Sequence, residues 1–161
     1  MKVLGVDPGT AVTGYGVIET GNGASRGGGM GRLLECGVIR FAKRSSLPRR
    51  LHELHEGIAE LIARHRPSAL ALEDAFYHKN VRTTLVLGHA RGVVLLAAQQ
   101  AGLEIAEYPP ATIKKTVVGA GGAGKAQVAA MVMRLLRLSH APKPADAADG
   151  IAVALTYIIR S

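Results

Sequence analysis

Residues 2–7, Lys-Val-Leu-Gly-Val-Asp, form an apolar run that ends in a carboxylate, Asp7, and is stopped at once by Pro8 and Gly9. A run this short, closed by a turn dipeptide, reads as a buried strand. The feature constrains the fold directly: the chain must build a sheet with an acid at one strand tip, and it must then give that acid a reason to be there. Asp7 before Pro-Gly also fits an ordinary turn residue.

The segments that follow supply the rest of the sheet. Thr13 to Glu19 is rich in β-formers and predicts a second strand paired with the first, and Leu33 to Phe41 predicts a third beyond the glycine-rich segment 21–31. Ser46 can cap a helix whose apolar positions Leu47, Leu51, Leu54, Ile58, Leu61 and Ile62 keep a helical period until Pro67 ends it. Residues 68–74 repeat the opening pattern, an apolar run ending in acids. Val81 to Gly102 predicts a long helix, apolar on most sides and therefore expected to be buried. Glu104 to Glu107 predicts a last strand, followed by a short helix from Pro110, a glycine loop at 119–124 and two helices near 125–138 and 145–159. This order points to one α/β domain over 1–161, a mixed sheet flanked by helices.

The longest uncharged run, Gly92 to Leu103, is shorter than the roughly 18 residues a membrane span needs, so no membrane association is expected. Cys36 has no disulfide partner, which fits a reducing cytoplasm. The net charge of +8 and pI near 10.1 favour a polyanionic partner.

Against that basic background stand four acids in unusual places. Asp7 and Glu73 end apolar strands, and α/β sheets commonly place their sites at strand ends. Asp146 and Asp149 lie among alanines, and their i, i+3 spacing puts them on one helical face. Either of the last two also fits a charge complementing a helix N-terminus. Converging carboxylates repel unless a cation intervenes, and hard oxygen ligands select Mg²⁺ or Mn²⁺. Two such ions roughly 4 Å apart are suited to phosphodiester hydrolysis.

The blocks GVDPGTAVTGYGVI (5–18), LALEDAFYHKNVRTTLVLGHARGV (70–93), IKKTVVGAGGAGKAQVAAMV (113–132) and ADAADGIAVALTY (145–157) resemble, in this order, the RuvC family of Holliday junction resolvases. The resemblance implies a ribonuclease H-like fold with a five-stranded sheet, and a metal-dependent endonuclease acting on four-way junction DNA in recombination and repair. It implies two divalent ions per site, held by Asp7, Glu73, Asp146 and Asp149. Lys114 and Lys125 then match basic residues at the scissile backbone, and Phe76 matches an aromatic used against a base. A homodimer and a branch-migration helicase as partner are implied in the same way.

The loop around Phe76 supports DNA contact on its own chemistry, since aromatic stacking tolerates any base and Tyr77, Lys79, Asn80 and Arg82 offer donors to phosphates. Lys115 adds a further cation beside Lys114. Phe76 as a core residue and the others as a solvated loop remain alternatives. Gly119 to Lys125 also fits the start of a phosphate-binding loop, but Ala126 stands where a Ser or Thr is needed. "DPGT" echoes the sugar-kinase and actin-like ATPases, whose two-domain chains are far longer. Two rival functions are an RNA-processing nuclease of the same fold and a junction-binding module without catalysis.

Overall fold

The computed structural model describes residues 1–21, 28–42, 44–75 and 79–161. Its sheet is built from β1 (Lys2–Asp7), β2 (Val12–Glu19), β3 (Arg32–Arg40), β4 (Ala69–Glu73) and β5 (Glu104–Tyr108), in the spatial order β3-β2-β1-β4-β5. The helices are α1 (Leu47–His65), α2 (Val81–Gln100), α3 (Pro110–Val118), α4 (Lys125–Leu136) and α5 (Ala145–Arg160). The first three strands are antiparallel neighbours, whereas β4 and β5 join β1 in parallel through helical crossovers. The expected mixed, five-stranded arrangement is therefore present.

Alternation along the strands decides what lies on each face. Leu4, Val6, Val17, Leu70 and Leu72 point to one side and pack against α1 and α2. Val3, Ile18, Ala69 and Ala71 point to the other and pack against α3, α4 and α5. The first face carries only bulky side chains, whereas the second also carries Ala69, Ala71 and the bare glycines of β1 and β2.

The small residues let α5 come very close. Gly5 on β1 pairs with Gly16 on β2, and Asp7 pairs with Gly14. A Cβ at Gly5 would strike the Gly150 carbonyl, one at Gly14 the Asp146 carbonyl, and one at Gly16 would stand 2.5 Å from Ile151 Cγ1. On the helix side, a Cβ at Gly150 would stand 2.5 Å from Tyr15 Cα. Backbone lies on backbone here, and only glycine allows it. The first turn of α5 is consequently held against the ends of β1 and β2.

Two expectations need correction. Ser46 occupies the N-cap of α1, but its hydroxyl makes no capping hydrogen bond, because Pro48 in the first turn removes one of the amides such a cap would serve. The second concerns α2, which is not buried on several sides. Only Ala90, Val94, Ala97 and Ala98 are buried, whereas Val81, Leu85 and Leu96 are 73%, 59% and 52% exposed. The helix packs on the sheet and α1 by one face, with Val93 and Leu95 partly buried at its edge, and leaves Val81, Leu85 and Leu96 exposed. At 20 residues with mean hydropathy 1.3 it is also long and apolar enough to cross a membrane by composition, although the uncharged run within it is short. Arg91 in its middle is ion-paired with Asp74 and Glu107, tying it to the sheet.

Candidate active site

β1 and β4 run parallel in register, with Val6 opposite Leu72, so the next residues, Asp7 and Glu73, leave the sheet side by side. Their carboxyls stand close enough for Glu73 to act directly on Asp7. Burial pushes the Asp7 carboxyl well above the usual carboxylate range. Hydrogen bonding to Glu73 and the negative charges of Glu73 and Asp149 push it further, and Lys125 partly opposes them.

Asp146 and Asp149 reach the same place from the first two turns of α5, carried there by the glycine contacts described above. Lys125, the first residue of α4, stands between them, with Nζ 3.2 Å from Asp149 Oδ2 and 3.4 Å from Asp146 Oδ1. Asp149, then Asp146, hold this ammonium protonated above its ordinary range. Lys114, on α3, lines a small cleft with Glu73 and Asp149, so both expected lysines border the acids.

The remaining expected residues divide. Lys115 is exposed on α3 and does not line the cleft, since one residue turns a helix by about 100°. Lys79, Asn80 and Arg82 are exposed at the start of α2, where Asn80 Oδ1 accepts the Thr83 amide hydrogen at 3.2 Å and so caps the helix. That is a structural use the sequence reading did not assign to Asn80. Phe76 and Tyr77 lie outside the described residues.

Two arginines were not assigned from sequence. Arg50 of α1 donates to the Thr10 carbonyl at 3.0 Å and lies 5.5 Å from the centre of the Phe41 ring, which fixes the turn after Asp7. Arg91 borders a cleft with Asp7 and Glu73. Their partners lie on other elements, Thr10 40 residues from Arg50 and Asp74 and Glu107 17 and 16 residues from Arg91, so neither contact left a local signal in the sequence. The glycine patch did leave one: Gly14 and Gly16, two apart on a strand, leave one face of β2 bare.

As folded, Asp7 is joined to Glu73, and Asp146 and Asp149 to Lys125. Among the described residues no group of three His, Cys, Asp or Glu side chains is gathered tightly enough to hold an ion as it stands. The donor set nevertheless fits a hard divalent cation. It offers carboxylate oxygens, and the Lys125 ammonium already serves as a counter-charge among them.

Comparison with known proteins shows the family. The family described as crossover junction endodeoxyribonuclease RuvC matches residues 3–157. The chain belongs to the RuvC family. The RuvC of Halorhodospira halophila is 47% identical over 156 residues, spanning 97% of this chain and 89% of that one. The RuvC of Pelotomaculum thermopropionicum is 46% identical over 157 residues, 98% and 92% of the two chains. Among solved structures, Thermus thermophilus RuvC in complex with a Holliday junction substrate superposes with a TM-score of 0.88 at 34% identity, covering 99% of this chain and 94% of that one. The RuvC fold is ribonuclease H-like, and this chain shares it. RuvC-family nucleases depend on divalent metal.

Proposed function

We propose that the chain resolves Holliday junctions in DNA recombination and repair by paired, divalent-metal-dependent phosphodiester hydrolysis. The observation that carries this reading, beside family membership, is the meeting of Asp7 and Glu73 at adjacent strand ends with Asp149 close by. Nothing about a stable fold calls for such an arrangement, because buried, mutually repelling carboxyls cost free energy. It makes sense as a ligand set.

In this reading Asp7, Glu73, Asp146 and Asp149 hold Mg²⁺, or Mn²⁺ in its place, as two ions per site. Held by these four acids, such ions would supply Lewis-acid activation of a water and charge stabilisation at the departing oxygen. The chain's own residues do the rest. Lys114 and Lys125 set positive charge against the scissile phosphate, and Phe76 stacks on an opened base at the crossover. Tyr77, Lys79, Asn80, Arg82 and Lys115 hold the backbone by donating to phosphates, a contact that weakens steeply with salt.

The enzyme acts as a homodimer. Leu85 and Leu96 project from α2 beside a groove of about 530 Å³ that Leu51, Gly88, Gly92 and Val93 also line. A two-fold pair of sites suits a four-way junction, whose opposed strands are themselves related by two-fold symmetry. Residues 1–161 work as one nuclease domain, in the cytoplasm, with a branch-migration helicase complex as the family's usual companion.

The test is cleavage of a synthetic four-way DNA junction in Mg²⁺, with junction binding followed in parallel, for the natural sequence and Asp7→Asn. Paired symmetric nicks that vanish in the variant while binding persists are the expected result. Binding with no cleavage in either Mg²⁺ or Mn²⁺ leaves a junction-binding module instead. Preferential cutting of structured RNA in competition makes the chain an RNA-processing nuclease.

A further inference from the structure

Arg91 reaches the acid cluster from α2. It borders a small cleft of about 20 Å³ with Asp7 and Glu73, yet its guanidinium is committed elsewhere. Nη1 lies 3.1 Å from Asp74 Oδ1, and Nη2 bonds Glu107 Oε2. Asp74 follows Glu73 directly, its side chain is 8% exposed, and its amide donates to the Tyr108 carbonyl at 2.8 Å. Glu107 sits on β5 opposite Leu72. One planar fork on α2 therefore clamps the ends of β4 and β5, at the residue next to a candidate ligand.

We propose that Arg91 is a positioning residue for the metal site: bridging Asp74 and Glu107, it fixes the end of β4 and with it the direction of the Glu73 carboxylate. The inference rests on the four-acid reading of the site. A guanidinium suits the task where an ammonium does not, since its rigid fork spans two carboxylates at once and stays charged when partly buried. Without it, Asp74 is a buried carboxylate lacking its counter-charge one residue from Glu73. Supporting residues behind metal ligands typically contribute 10–100-fold to metal affinity or activity.

Three variants decide the matter. Arg91→Lys keeps the charge and loses the fork. Arg91→Gln/Asp74→Asn removes both ends of the buried pair and leaves the net charge unchanged. Asp7→Asn serves as the reference for the site itself. The first measurement is Mn²⁺ binding to the DNA-free protein by calorimetry, followed by Mg²⁺ titration of junction cleavage, junction affinity and thermal melting.

For Arg91→Lys the expected result is Mn²⁺ affinity about 10-fold weaker, a correspondingly higher Mg²⁺ requirement and unchanged junction affinity. The double variant, which keeps charge balance without restoring the clamp, should stay equally impaired. Recovery of Mn²⁺ affinity in the double variant would show that Arg91 only balances Asp74, and would overturn the clamp. Weakened junction affinity with Mn²⁺ binding intact in Arg91→Lys would make Arg91 a phosphate contact. If Asp7→Asn loses Mn²⁺ binding and Arg91→Lys does not, the Arg91 assignment alone fails. If Asp7→Asn itself binds Mn²⁺ normally, the four-acid reading fails and takes this inference with it.

Discussion

Helices α5 and α2 are both apolar and both carry glycines, but they meet opposite fates. In α5, residues 147, 148 and 150–157 are buried, and the Cβ missing from Gly150 is the space the Tyr15 backbone occupies. In α2, four residues are buried, and a Cβ added at Gly88 or Gly92 would meet nothing within 4 Å. Apolar composition therefore says that a helix will be covered, not by what. On α5 the covering surface is the chain's own sheet, and the contact carries Asp146 and Asp149 to Asp7. On α2 Val81, Leu85 and Leu96 are left exposed, a surface that the proposed homodimer covers.

The sharpest way to break this comparison is Gly150→Ala. The new methyl would press on Tyr15 backbone, which has no rotamer to change, so stability should fall by about 3 kcal/mol and junction cleavage with it. Urea denaturation and a cleavage assay check both, and a stable, active variant would show that the α5 contact is not what sets the site. On the other helix, Leu85→Lys with Leu96→Lys should leave the fold intact and turn a dimer into a monomer. Sedimentation equilibrium reads that change, and a dimer that persists means a different surface is used.

Gly88→Ala sharpens the contrast further. In the dissociated chain it should stabilise by about 0.5–1 kcal/mol, the ordinary gain from replacing an unconstrained helical glycine. A loss of dimer affinity in the same variant would place Gly88 at a close approach between copies.

The smallest effect concerns the charge that the α5 contact brings to Asp7. Because burial and the neighbouring acids raise the Asp7 carboxyl above its unfolded value, its ionisation costs the folded, metal-free protein stability as pH rises from about the ordinary 3.8 through the raised value. Asp7→Asn should therefore melt higher than the natural sequence at pH 8 without metal, and the difference should shrink as pH falls toward the ordinary value. Equal melting temperatures at pH 8 would show that Lys125 already relieves the repulsion.

Much of this protein was legible in its sequence because the deciding features are local. Strand tips marked by Asp7-Pro8-Gly9 and by Glu73, helix ends marked by Pro67 and Gly119, and the i, i+3 pair Asp146 and Asp149 each leave their pattern within a few residues. The strand and helix order followed from those marks, as did the four candidate acids. The burial of α2 was misread because periodicity records how apolar a helix is and says nothing of the surface beside it. Asn80 was read as a DNA contact, while the structure also uses it as a helix cap, since a short polar side chain before a helix serves both ends equally well in sequence.

What the sequence determined by itself is the set of elements and the chemistry each carries, because hydrophobic period, turn residues and charge act over short stretches of chain. What only the tertiary structure decided is which charges meet. The meeting of Asp7 with Glu73 and the seat of Lys125 between Asp146 and Asp149 depend on register and on the closeness that paired glycines allow. The grip of Arg91 on Asp74 and Glu107 depends on the parallel register of β4 and β5 and on where α2 packs. Electrostatic contacts of that kind are fixed by ångström distances between segments far apart in sequence, and packing alone sets those distances.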